Sequence, residues 1–528
     1  MISDHHLDNE PLFLDQLATV NPNKEAVVDL STDTAITLNY GQLNDLANRT
    51  AQGFLKYGIQ PGECIAYILP NSWEFIVATL AIWKIGATAC PILPALRDHE
   101  VSFIMERSKS RLLIIPEGYR NFDYQPMVER IAPKLPQLEK TIMITSRDPF
   151  DIKVRLGGLA SEIPDMETIE ALHPTARTNA TLLFTSGTTG EPKGVIHTHG
   201  TLSFAAHAHT KTLRLTDQDI IWVPSPLAHQ TGLLYGSIIA LSLGAKQVCQ
   251  AIWNVDTARQ AIEEHGATFV QAAMPFLADI SRDQHPPKGL KTFVATGAAV
   301  PRQLAYDATA ALECHVVGGW GSTESCLISV GSPYSNSEKA WSTDGHVIEG
   351  MEMKITDENG NELPRGKEGM YRVKSPAMFT TYLDHHDWYE DSIDENGFFI
   401  TGDLAIMDED GYLSLTGRVK DIVNRGGEKI PVVEIENLLY EHDNIKDIAI
   451  VGMPDPRLGE RICAFVTLKT KKSFTLQDMS SYLETKGVAK IYWPEHLELI
   501  DDLPRTASGK VQKYVLRQII ADKTIAKA

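Results

Sequence analysis

Four stretches of the chain carry residue types that could do chemistry. The first is Thr185-Ser-Gly-Thr-Thr-Gly-Glu-Pro-Lys-Gly194, in which three of ten residues are glycine and one is lysine. Glycines let backbone N–H groups approach a bulky anion, hydroxyls add donors, and Lys193 adds a mobile charge suited to phosphate oxygens. No Gly-Lys-Ser/Thr closes the run, so it is not a Walker loop. It reads as a polyphosphate cradle or as a flexible surface loop. The second is Gly318-Gly-Trp-Gly-Ser-Thr-Glu324, where Trp320 could stack on a base and Glu324 could hold a hard cation beside phosphates. The third is Asp403, after the apolar run Phe398-Phe-Ile-Thr-Gly. A carboxylate there can accept both ribose hydroxyls or simply close a turn. The fourth is Pro504-Arg-Thr-Ala-Ser-Gly-Lys510, near the end of the sequence. His229, just after an expected strand end, is a weaker candidate, since a lone histidine is usually a hydrogen-bonded core or surface residue.

The elements that must position these groups follow from periodicity. A helical pattern over residues 38–60 precedes a strand at Cys64–Leu69, a helix at Trp73–Ile85 and a strand at Ala87–Pro91. Further strands are expected at Thr181–Phe184, Ile220–Val223, Thr268–Val270, Thr292–Ala295 and His315–Val317. Strands alternating with helices imply a doubly wound α/β sheet, and strand ends with small residues can line one crevice. From about residue 345, short alternating segments punctuated by Gly and Pro predict a small β-barrel-like unit. The last 110 or so residues read as a separate α+β domain. The seam is placed near Lys420, giving an N-terminal domain of residues 1–417 and a mobile C-terminal domain of residues 418–528. Residues 416–431 concentrate Arg418, Lys420, Arg425 and Lys429, either a solvated charge run or a local basic patch.

Composition narrows the function. The chain has 528 residues and a net charge of −19, which argues against a nucleic-acid or anionic-membrane surface. Its six cysteines show no paired spacing, which fits a reducing, cytoplasmic compartment and offers no zinc framework. No apolar run approaches the ~20 residues of a membrane span, and no secretory signal opens the sequence.

Taken in order, the motifs resemble those of the adenylate-forming superfamily, which includes acyl- and aryl-CoA synthetases, adenylation domains and luciferase. The resemblance covers about residues 37–518. It implies a large N-terminal domain of two α/β subdomains plus a small β-barrel, and a small mobile C-terminal domain. It also implies that Thr185, Ser186, Gly187, Thr188, Thr189, Gly190 and Lys193 hold the β- and γ-phosphates of ATP. Gly297, Ala298 and Ala299 would flank adenine, with Gly319, Trp320, Gly321 and Ser322 beside them; Trp320 stands where the family usually has tyrosine. Thr323 would touch the α-phosphate, Glu324 with Thr185 would hold Mg²⁺, and Asp403 and Arg418 would hold the ribose. Lys510 would bridge the substrate carboxylate and the α-phosphate, Lys420 would be the hinge, Gly427 would line the pantetheine tunnel, and His229 would sit at its mouth. Departures are small: the adenine strip is Gly-Ala-Ala, and Ser375 replaces a common glycine.

The activity so implied is an AMP-forming acyl-CoA synthetase using ATP, Mg²⁺, CoA and a small carboxylic acid. Motif wording resembles bacterial short- and medium-chain acyl-CoA or cyclohexanecarboxylate-type ligases. It also resembles stand-alone aryl-acid adenylating enzymes that load a carrier-protein thiol, although only 18 residues follow Lys510. A non-catalytic nucleotide sensor would be expected to lack Lys193, Glu324 or Lys510, and all three are present; nothing favours a luciferase-like oxygenation. His229, Gln230, Thr231, Met274, Gly318, Cys326 and Leu327 are the candidate acyl-pocket residues, mostly small and apolar. Homodimers occur in the family.

Overall fold

In the computed structural model the described residues are 10–145, 147–149, 151, 155–185, 192–297, 301–335, 338–426, 428–470, 473–506 and 509–525. Two large sheets share one core. The first runs, in spatial order, Thr381–Tyr382, Lys193–Thr198, Asn179–Thr185, Thr88–Pro91, Cys64–Tyr67, Leu112–Pro116 and Lys140–Ile144. Its last five strands are parallel, and the two at the other edge are antiparallel. The second has nine strands, with Lys246–Cys249, Ile220–Val223, Phe269–Ala273, Thr292–Thr296 and His315–Ser322 parallel at its centre.

The helix Trp73–Lys84 shows why the sheets come together. Ser72 caps it by accepting from the Phe75 N–H, and all twelve of its residues are buried. A helix apolar on all sides has to be covered on all sides. Its one cation, Lys84, is fully buried and is held by Asp15 at 2.7 Å. Helices Tyr40–Lys56 and His199–Leu213 join the same hydrophobic cluster.

The stretch expected as a small barrel forms a four-stranded antiparallel sheet, Glu352–Thr356, Glu368–Lys374, Phe399–Met407 and Leu413–Arg418. The chain then makes a single turn of 3₁₀ helix, Val419–Asp421, and enters a five-stranded sheet. Residues 423–520 bury their own apolar side chains in two clusters separate from those of the large sheets. Within them the helix Leu476–Thr485 starts at the capping box read from the sequence, with Thr475 and Asp478 capping each other.

Three readings are corrected. The stretch ending the cradle is a strand: Lys193–Thr198 pairs antiparallel with Asn179–Thr185, placing Lys193 opposite Thr185. The strand starting at His315 does not stop at Val317 but continues through the glycines to Ser322 and folds back as Cys326–Val330. There the glycines permit close pairing, since a Cβ on Gly321 would lie 2.4 Å from the Cys326 carbonyl oxygen. Asp403 is not at a strand end; it lies inside Phe399–Met407, directly opposite Arg418.

Candidate active site

Residues from four distant segments converge at the C-terminal ends of the central parallel strands, where open α/β sheets place ligands. The small domain supplies Lys510. Its loop is closed by Thr506, whose N–H donates to the Lys510 carbonyl at 2.8 Å and whose hydroxyl accepts from the Lys510 N–H at 3.1 Å. Arg505 braces it, donating to the Gly509 carbonyl at 2.7 Å and pairing with Asp447. Gly509 packs on Ala273 and Pro275, at the end of strand Phe269–Ala273. Gly297 has φ +94°, and a Cβ placed on it would sit 3.5 Å from Lys510 Cε. Burial first and then the Arg418 charge lower the Lys510 ammonium pKa, while Asp403 and Glu324 oppose that shift. A second bridge between the domains is Arg282, which donates to the Tyr440 hydroxyl at 2.9 Å.

Asp403 is buried. Its Oδ2 accepts from Trp320 Nε1 at 2.8 Å, and Arg418 Nε lies 2.9 Å from Oδ1. The Arg418 approach lacks hydrogen-bond geometry, so Oδ1 is a buried acceptor with no donor among the described residues. A ribose hydroxyl would satisfy it. Trp320 is held edge-on to Tyr371, ring centres 4.6 Å apart. The tryptophan in place of tyrosine thus orients the carboxylate.

Glu324 Oε1 accepts from the Tyr382 hydroxyl at 3.1 Å. The preceding carbonyl, that of Thr323, accepts from His197 Nε2 at 2.7 Å, while His197 Nδ1 faces the Thr201 hydroxyl at 3.0 Å. No group of three or more His, Cys, Asp or Glu among the described residues could hold a metal alone. Magnesium needs fewer protein ligands, because one carboxylate together with substrate phosphates suffices. Glu324 and the Thr185 hydroxyl, both hard oxygen donors, fit that ion.

His229 caps the helical run that starts at Gln230, its Nδ1 accepting from the Thr231 N–H at 3.2 Å. Burial, then the Lys510 charge, push its pKa down to about 3, so the ring is neutral. Sequence reasoning missed what holds its loop. Asn71 accepts from the Leu227 N–H at 2.7 Å and donates to the carbonyls of Ser225 at 2.7 Å and Val223 at 3.1 Å. The available signal is the Pro70-Asn71 pair between the strand Cys64–Tyr67 and the helix Trp73–Lys84. Gln230 and Cys326, both candidate pocket residues, touch through Nε2 and Sγ at 3.3 Å, and Gln230 Oε1 is buried without a partner among the described residues.

Ser186, Gly187, Thr188, Thr189, Gly190, Ala298, Ala299 and Gly427 lie outside the described residues. Lys420 is exposed on the turn between the domains. The basic run is not one patch, because Arg418 goes to Asp403 and Arg425 is held by Glu495 at 2.8 and 3.0 Å.

The buried histidines make stability depend on pH. His197 is pushed down to about 4, and His209 and His229 to about 3, chiefly by burial. The unfolded chain binds these protons from about pH 6.5 downward, so their stabilisation is complete above that pH and is lost on acidification. Asp344, raised by burial to about 6, works the other way as pH rises through that value. The histidines win by number. His209 has no hydrogen-bond partner on either ring nitrogen among the described residues and packs on Tyr235 and Phe269. His209→Phe is expected to flatten the loss between pH 7 and pH 5 by about 2 kcal/mol, read from denaturant unfolding at both pH values. An unchanged slope would contradict this.

Comparisons with known proteins place the chain in a family. Residues 14–383 match the AMP-binding enzyme family, and residues 434–510 match the AMP-binding enzyme C-terminal domain. The chain is 34% identical over 521 residues to a medium-chain fatty-acid–CoA ligase of Escherichia coli (strain K12), covering 96% of this chain and 90% of that protein. It is 28% identical over 495 residues to a 2,3-dihydroxybenzoate-AMP ligase of Bacillus subtilis (strain 168), covering 92% and 90%. Its fold matches the anthranilate CoA ligase AuaEII, solved in complex with anthranoyl-AMP, with a TM-score of 0.88, 24% identity and 98% coverage of both chains. The chain belongs to the AMP-binding enzyme family, and with it to the adenylate-forming superfamily of ATP-dependent acid–thiol ligases.

Proposed function

We propose that this enzyme is an AMP-forming acyl-CoA synthetase that activates a medium-chain or cyclic carboxylic acid. The observation that carries the reading is the arrival of Lys510, from the small domain, among Asp403, Glu324, Arg418 and His229 of the large one. A carboxylate is already ionised at pH 7, so it needs no general base to attack the α-phosphate of ATP. The barrier is the meeting of two anions. Lys510 meets it with positive charge at the reacting oxygens, and Lys193 with the hydroxyl-rich loop that begins at Thr185 holds the departing pyrophosphate. Magnesium, when bound at Glu324 and Thr185, would supply further neutralisation of phosphate charge. Asp403 and Arg418 hold the ribose, Trp320 stacks by the base, and neutral His229 lies beside the carboxylate without adding charge. The CoA thiol then attacks the acyl carbonyl and AMP leaves.

Lys510 serves the first step and obstructs the second. A hinge at Lys420, with residues 1–417 and 418–528 as the moving bodies, resolves this by withdrawing the lysine. Support for the hinge is the single turn at Val419–Asp421 between two separately packed cores. We place the enzyme in the cytoplasm, supported by six free cysteines and by the absence, among the described residues, of a helix long and apolar enough to cross a membrane.

A second reading, an aryl-acid adenylating enzyme loading a carrier-protein thiol, is favoured by one feature. The orphaned Gln230 Oε1 beside Cys326 is an acceptor that a ring hydroxyl would satisfy, and the Bacillus subtilis relative is named for such an acid. Incubation with ATP, Mg²⁺, a panel of alkyl and aryl acids and either CoA or an acyl carrier protein separates the two. Thioester on CoA is expected; a loaded carrier with CoA left unacylated would overturn the first reading.

A further inference from the structure

Lys193 and Glu324 carry opposite charges at one site, yet the structure pairs neither with the other. Tyr382 lies between them. Its hydroxyl donates to Glu324 Oε1 at 3.1 Å, and its ring face lies 4.5 Å from Lys193 Nζ. A second ring, Trp388, lies 5.4 Å from the same ammonium and is itself stacked on His385, 3.7 Å between centres and 3° from parallel. Tyr382 is 3% exposed and packs on Phe379, 4.7 Å between ring centres. Its backbone is pinned to the cradle strand, where Tyr382 pairs with Val195 and the Leu383 N–H donates to the Gly194 carbonyl at 2.8 Å. The ring is therefore fixed to the strand that carries Lys193, and it cannot drift away from either charge.

The physical consequence concerns the nucleotide-free enzyme. A lysine and a glutamate recessed together would form a direct ion pair, and entry of MgATP would have to break it before either group met its ligand. Aromatic faces attract an ammonium while leaving its three donors available to stronger acceptors. The phenol hydroxyl aims one carboxylate oxygen and leaves the other for a cation.

We propose that Tyr382, supported by Trp388, is a positioning residue of the ATP site that keeps Lys193 and Glu324 apart and aimed. This rests on the reading in which Lys193 meets the phosphates and Glu324 meets magnesium. The loss of the hydroxyl alone and the loss of the ring should have different signatures. Tyr382→Phe is expected to weaken MgATP about fivefold, the worth of one hydrogen bond, while ATP in EDTA binds within about twofold of wild type. Tyr382→Leu, which removes the ring face, lets Lys193 collapse onto Glu324 and is expected to weaken ATP in EDTA by about tenfold. Adding Glu324→Gln to Tyr382→Leu should restore that magnesium-free affinity, because the collapse then has no partner.

The measurement is equilibrium binding of ATP by calorimetry, with Mg²⁺ and with EDTA, on the full-length chain and without acid or CoA. Circular dichroism and thermal melts check folding; should Tyr382→Leu fail to fold, the split shown by Tyr382→Phe decides. Lys193→Met and Glu324→Gln are run alongside. If neither changes nucleotide binding, the site assignment falls and this proposal with it. If both do but Tyr382→Phe binds MgATP as wild type does, the proposal alone is overturned. Loss in Tyr382→Leu that Glu324→Gln does not relieve also overturns it.

Discussion

Lys510→Ala is expected to slow formation of the acyl-adenylate by about 10²–10³-fold, the usual cost of removing a group aimed at developing transition-state charge. Thioester formation from supplied acyl-adenylate and CoA is expected to stay within roughly threefold of wild type, because the proposed hinge motion withdraws the lysine for that step. The asymmetry follows from how the side chain is delivered. Lys510 is held by a loop braced within the small domain through Arg505 and Asp447. That loop touches the large domain through Gly509 on Ala273 and Pro275. Removing the ammonium leaves this docking surface intact, so a global fault would show as equal loss in both half-reactions. Equal loss would refute the role given to Lys510. Quenched-flow measurement of each half-reaction gives the answer directly.

Asp403→Asn is expected to raise the KM for ATP about 10- to 100-fold, as hydrogen bonds to a charged group are worth ~1.5–3 kcal/mol. The change in kcat should be smaller, since the ribose is remote from the reacting phosphorus. Stability should change little: the substituted amide can still accept from Trp320, and Arg418 is half exposed, so its charge is not stranded. The sharper form of the test uses 2′,3′-dideoxy-ATP. Wild type should discriminate against it by a factor close to the effect of the substitution, and the Asp403→Asn enzyme should discriminate hardly at all. Full discrimination by the variant would show that the carboxylate does not meet the ribose.

The residues of the proposed site are readable in the sequence because the chemistry asked of them constrains residue type at fixed positions. Lys510, Glu324, Asp403, Arg418 and His229 lie in the neighbourhood that motif order implied, although nearly 300 residues separate His229 from Lys510. What could not be read was the scaffold that aims them. Asn71, His197 and Tyr382 act through bonds to Leu227, Thr323 and Glu324, distant partners that only the folded chain brings near. Local propensity also misled where tertiary pairing overrode it. Gly318–Ser322 is rich in glycine and is expected from sequence to lie beyond the strand His315–Val317, yet the Cys326–Val330 strand returns alongside it and a side chain on Gly321 would meet the Cys326 carbonyl. Asp403 looked like a strand-end residue because Gly402 precedes it. That glycine takes φ +75° inside the strand Phe399–Met407.

The same contrast applies to the contacts between the domains. Nothing in local pattern marks Arg282 and Tyr440 as partners, and their bond is present together with the approach of Lys510 to Gly297.

The central claim is that acid activation proceeds through an acyl-adenylate before any thiol is engaged. Isotope exchange between labelled pyrophosphate and ATP, run with Mg²⁺ and a responsive acid but no CoA, tests it most directly. Exchange that depends on the acid and collapses in Lys510→Ala is the expected result. No exchange with any acid that supports thioester formation, or ADP rather than AMP as the nucleotide product, would contradict it.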